Sequence, residues 1–133
     1  MKRILLAYDG GEPAKRALEQ TIGLAKAFGA EVGVISVVPS RSGRAAVDPW
    51  DDRTVHAAEL LEARRALREV GIEAEMLEPG GDVARTIERV ADERGYDTIV
   101  VGTRGPGGLA RALHGSVSEH VVAHAHTTVI VAR

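Results

Sequence analysis

The 133 residues contain no cysteine, which excludes disulfides and thiolate-held metal centres. Aromatic residues make up only 3 %, so a core has to be assembled from Val, Ile, Leu and Ala. No basic block accompanies the net charge of −2, which argues against a nucleic-acid surface. No apolar run reaches the roughly 18 residues of a membrane-spanning helix. The opening MKRILLAYDG starts basic, but its apolar run stops at Asp9 and meets two glycines. It reads as a first strand and not as a signal peptide, and a cytoplasmic location is the expectation. No Gly-Lys pair occurs, so a Walker A phosphate loop is excluded. What is present is ordinary for a globular chain: 44 % apolar and 27 % charged residues. One domain over residues 1–133 is expected, long enough to bury roughly 65–70 % of its unfolded surface.

The order of elements follows from periodicity. Arg3 to Tyr8 is a continuous apolar run, as suits a strand covered on both faces. Pro13 fits the start of a helix carrying Ala14, Ala17, Leu18, Ile22, Ala25 and Phe28, with Gly29 as its stop. Glu31 to Val38 reads as a second buried strand, closed by Pro39. Ser40 to Asp52 has no period and holds the sole tryptophan, Trp50, so it reads as a connector. A helix from about Thr54 to Val70 follows, capped by Asp51 or Asp52, with Val55, Ala58, Leu61, Leu67 and Val70 as its apolar stripe. Ile72 to Leu77 alternates as an edge strand, and Asp82 caps a helix that runs to Arg94 and stops at Gly95. Thr98 to Val101, a final helix to about His124, and Thr128 to Ala132 complete the chain. Repeated βα units give about five strands and four helices in a doubly wound parallel sheet.

The stretch from Thr98 to Glu119, TIVVGTRGPGGLARALHGSVSE, concentrates the chemistry. A strand breaks at Gly102, a loop holds Gly105, Gly107 and Gly108, and a helix is expected to restart at Gly115-Ser116. Glycine at a strand end lets a ligand approach the backbone, and a helix start offers unpaired N–H groups and the positive end of its dipole. Phosphate is the usual occupant of such a site. Parallel sheets bind ligands beyond the carboxyl ends of their strands, where Asp9, Val37-Val38 and Gly102 would converge. Gly105 to Ala110 also spells G-x-G-x-x-A, but in the last βα unit and with Ile130 where an acid is required. We reject it as a chance match to the dinucleotide fingerprint.

The spacing Gly102-x2-Gly105-x9-Gly115-Ser116 resembles the ATP-binding signature of the universal stress protein family. The likeness extends to the opening strand ending in Asp-Gly, the IVVGTRG run, LHGSVSEHVV and the closing TVIVAR. It implies a single universal stress protein domain with a Rossmann-like five-stranded sheet in order 3-2-1-4-5. It implies ATP, AMP or ADP as ligand, with Mg2+ able to accompany ATP, and a homodimer paired through Thr128 to Ala132. By the same resemblance Asp9 contacts the nucleoside and the Val37 backbone reads the adenine edge. Gly102, Arg104 and Gly105 line the ribose and phosphates, while Gly115, Ser116, Val117 and Ser118 take the phosphates. Thr127-Thr128 stands where the family usually has proline, which touches the last turn and not the pocket.

Each residue also has a plainer role. Asp9 before two glycines suits a turn acid, and Ser116 with Glu119 spells a capping box. His120 and His124 stand at i, i+4, near His126; with no third ligand motif they read as a surface face, and no metal ligand is assigned. His114 is the one proton-transfer group beside the phosphate helix, without the base and metal that hydrolysis requires, so no catalytic residue is assigned. The leading reading is a nucleotide-binding stress-response sensor or regulatory module. A slow ATPase using His114 and Arg104, or a dimeric interaction protein with an empty pocket, are the alternatives.

Overall fold

Ile4, Leu5 and Leu6 are each 0 % exposed, which places the first strand, β1 (Arg3–Ala7), in the middle of the molecule. The computed structural model describes residues 1–39, 53–103 and 112–133, with the backbone alone at 53 and 112–116. The expected connector Ser40 to Asp52, with Trp50 and the cap acids Asp51 and Asp52, lies outside the described residues, as do Arg104 and Gly105. After β1 come α1 (Glu12–Phe28), β2 (Glu31–Ile35), β3 (Val38–Pro39), α2 (Arg53–Glu69) and β4 (Ala74–Leu77). Then follow β5 (Gly80–Gly81), α3 (Val83–Arg94), β6 (Thr98–Gly102), α4 (Ala112–His124) and β7 (Thr128–Ala132).

The main sheet has five strands in the order β4-β2-β1-β6-β7, all parallel. With the short β3 and β5 set aside, this is the expected order 3-2-1-4-5. Ile4, Leu6 and Tyr8 point to one face and pack with Ala14, Ala17 and Leu18 of α1 and Leu60, Ala63 and Leu67 of α2. Leu5, Ile99 and Val101 point to the other, against Ile87 and Val90 of α3 and Val121 of α4. Local chemistry ends the helices where expected. Gly29 and Gly95 take left-handed φ of 64° and 72°, and the Asp82 carboxylate accepts the Arg85 N–H at 3.1 Å.

Four expectations are corrected. Strand two stops at Ile35, where its pairing with both β1 and β4 ends; the ladder resumes at Val38 in the same register against β5. The inward face of α2 is His56, Leu60, Ala63 and Leu67; of the predicted stripe Leu67 is buried and Val55 half-buried, while Ala58 is exposed. Leu61 and Val70 are consequently 46 % and 37 % exposed. Phe28, in the last turn of α1, is exposed and not in the core. Finally, α4 starts at Ala112, ahead of the expected Gly115, so Ser116 lies inside the helix and does not cap it.

Two tyrosines tie the layers together. The Tyr8 hydroxyl bonds Glu62 on α2. Tyr96 crosses β2 at Gly33, where a Cβ would stand 2.0 Å from its Oη, and donates to Glu75 on β4 at 2.8 Å. The absent side chain at Gly33 is what lets the phenol through. Burial, and then the acceptor carboxylates, hold both phenols neutral; Tyr8 is raised well above the ordinary value, and Tyr96 is pushed from 10.0 up to about 12. Because the folded pKa lies above the unfolded one, this stabilisation is complete below pH 10 and fades as pH rises toward about 12. These are the only two tyrosines of the chain, so tyrosinate absorbance reads them directly. The titration is expected to show no ionisation until well above pH 10, and then together with loss of far-UV circular dichroism. A phenol titrating at its ordinary value in the folded protein would contradict the buried pairs.

Candidate functional site

The chain leaves β1 for β2 on one side and leaves β6 for β7 on the other, so the switch point of the sheet lies between the carboxyl ends of β1 and β6. Asp9 stands just past the end of β1, exposed, and its Oδ1 accepts the Gly11 N–H at 2.9 Å. The turn role expected for Asp9 is thus present. Gly10 takes φ +78°, and a Cβ there would meet the Glu59 side chain of α2 at 3.2 Å. Asp9, Gly10 and α2 therefore share one small volume above β1.

Val37 carries the most informative backbone. The Ser36 and Val38 N–H groups both bond toward β4, to the Leu77 and Pro79 carbonyls at 2.9 Å. The Ile35 carbonyl accepts the Tyr8 N–H on the β1 side at 3.0 Å. In an extended chain these directions alternate, so the N–H and C=O of Val37 turn to the β1 side, where β1 has already ended. A donor and an acceptor are thus displayed at the switch point. The Val37 side chain is buried on the α3 and α4 face.

Gly102 closes β6 opposite Ala132, and a Cβ on it would lie 2.3 Å from the Pro13 carbonyl oxygen. Its bare backbone is what lets the first turn of α1 seat against the sheet. The next residue, Thr103, donates its N–H to the Ala132 carbonyl at 2.9 Å. Gly115 and Ser116 are within α4, Val117 is half-buried, and Ser118 is buried. The structure thus brings Asp9, Val37 and Gly102 to one edge of the sheet, with α4 following from β6. Arg104 and Gly105 fall outside the described residues.

The sequence reading missed the polar floor that α2 supplies. His56 Nδ1 lies 2.7 Å from Ser36 Oγ and 3.9 Å from Glu59 Oε1, and all three groups are buried or nearly so. His56 Nε2 is buried and has no hydrogen-bond partner among the described residues. The spacing His56, Leu60, Ala63, Leu67 was the available signal, obscured because a histidine was not counted among inward residues. Ser36→Ala leaves the His56 Nδ1 buried without its partner and is expected to cost about 1–3 kcal/mol in urea unfolding. Adding His56→Leu should recover part of that loss. Simple additivity of the two changes would contradict the pairing.

The sequence matches the universal stress protein family along residues 1–133. A universal stress protein of Methanocaldococcus jannaschii is 37 % identical over 145 residues, spanning 99 % of this chain and 82 % of that protein. Among solved structures, the universal stress protein from Archaeoglobus fulgidus in complex with dAMP superposes with a TM-score of 0.78 at 24 % identity, covering 100 % of this chain and 98 % of that one. A family protein from Arabidopsis thaliana with AMP bound gives a TM-score of 0.73 at 22 % identity, covering 99 % and 91 %. These two likenesses show the fold.

Proposed function

The chain belongs to the universal stress protein family, and on that premise we propose that it binds an adenine nucleotide at the carboxyl edge of β2, β1 and β6. The observation that carries this reading is the Val37 backbone, whose N–H and C=O turn to the β1 side past the end of β1, beside Asp9 and Gly102. An adenine edge needs one donor and one acceptor at that spacing, and a backbone supplies both without a side chain to mispair. Similar folds holding dAMP and AMP support the choice of ligand. In this reading Asp9 meets the nucleoside, Val37 the base, and Gly102, Arg104 and Gly105 the ribose and phosphates. Gly115, Ser116, Val117 and Ser118 serve the phosphate end. With α4 beginning at Ala112, its first-turn N–H groups lie on the loop side of Gly115, a favourable place for phosphate.

The proposed role is that of a regulatory module, with ATP, ADP or AMP as the occupant and Mg2+ accompanying ATP. Occupancy changes a surface that other proteins read, in the manner of a stress-response sensor. Binding, not turnover, is the work assigned to the site, so no residue is given a catalytic role. Among the described residues β7 pairs only with β6, and its outer side suits a second copy of the chain.

The test is the nucleotide content of gently purified protein, denatured and identified by chromatography and mass spectrometry, beside the Gly105→Val, Gly115→Val variant. Adenine nucleotide released by the native chain and missing from the folded variant is the expected result. No release, with no binding at millimolar nucleotide, would contradict the reading and leave an interaction protein with an empty crevice.

A further inference from the structure

The seam between α3 and α4 gathers groups that the nucleotide site does not use. Glu88 and Asp92 stand one turn apart on α3, His120 and His124 one turn apart on α4, and His126 follows. His120 Nδ1 lies 2.9 Å from Glu88 Oε2, and His126 Nδ1 lies 3.1 Å from Asp92 Oδ2. The His120 and His124 rings are stacked, with centroids 4.1 Å apart and 24° between their planes. Glu88, His120 and His124 each bring one ligand atom within 4.8 Å of the others.

Three features separate this cluster from an ordinary solvated face. Glu88 is only 15 % exposed, and among the described residues its one charged partner is His120, where a helix seam would ordinarily supply Arg or Lys. The His124 Nδ1 lies 3.0 Å from the His120 carbonyl oxygen, which only accepts, so that nitrogen carries the proton and Nε2 keeps its lone pair. The stacking holds both imidazoles beside Glu88, so the three donors meet on one side of the seam.

We infer that Glu88, His120 and His124 form a binding site for a divalent transition metal ion of the zinc type. Two imidazoles and a carboxylate are a nitrogen-and-oxygen donor set that suits Zn2+ over Mg2+ or Ca2+ and leaves a fourth position open. Tetrahedral zinc with bonds of about 2.0–2.1 Å has ligand-to-ligand edges of about 3.4 Å. The 2.9 Å between Glu88 and His120 is already close to such an edge. Closing the cluster from 4.8 Å asks His124, on the exposed side, to swing by roughly an ångström. His120 lies one turn beyond Ser116 on α4, and Glu88 of α3, which the nucleotide site does not use, completes the cluster. A metal there ties α4 to α3 across the seam. The third ligand comes from a different helix, which is why His120 and His124 read as a surface face from sequence.

The test is calorimetric titration of untagged full-length chain with Zn2+ alone, without nucleotide, together with the visible spectrum of the Co2+ form. One Zn2+ per chain is expected, with the intense absorption of four-coordinate cobalt. Glu88→Gln and His124→Ala should each weaken binding at least about tenfold, while Asp92→Asn leaves it unchanged. His124 is exposed, so its replacement leaves the fold intact and any loss reports on ligation. Absence of binding at millimolar Zn2+, or equal affinity in Glu88→Gln, would overturn the site. Loss on Asp92→Asn as large as on Glu88→Gln would also overturn it, pointing to unspecific uptake along the histidine face.

Discussion

In a sheet whose strands all run the same way, no strand can turn straight back into its neighbour. Each return has to cross one face as a helix, and the faces must be apolar to receive it. From this constraint follow the two-sided burial of Ile4, Leu5 and Leu6, the α1–α2 layer on one face and the α3–α4 layer on the other. It also gathers the carboxyl ends of all strands along one edge. The crevice at the end of β1 is a product of the topology before any particular side chain is placed in it.

Polar groups then fix what apolar packing leaves undetermined. Tyr8 to Glu62 sets the register of α2 over β1, and Tyr96, passing over Gly33, joins the start of β6 to the outer strand β4. Ser36 holds His56 just past the end of β2, and the next residue, Val37, turns its backbone toward the crevice. The interruption that shortens β2 lies beside the one residue whose backbone displays a donor and an acceptor toward the switch point.

The strands were legible because parallel, doubly covered strands are unbroken apolar runs, as in Arg3 to Ala7 and Thr98 to Gly102. Gly29, Asp82 and Gly95 were legible because capping is decided within one turn of chain. Asp9, Val37 and Gly102 were found because strand ends converge by topology. What the sequence hid depends on long-range packing. The phase of α2 turns on a histidine used as a core residue, and its partner Ser36 comes from the sheet, far away in the chain. Glu88 joins His120 and His124 only because α3 packs on α4.

The central claim is that an adenine nucleotide occupies the edge formed by β2, β1 and β6. Amide-resolved NMR titration of the chain with AMP and with ATP tests it most directly. Saturable shifts at Asp9, Gly10, Val37, Gly102 and Thr103, with ATP adding shifts along the first turns of α4, are the predicted result. Shifts confined to other faces of the molecule, or none at millimolar nucleotide, would contradict it.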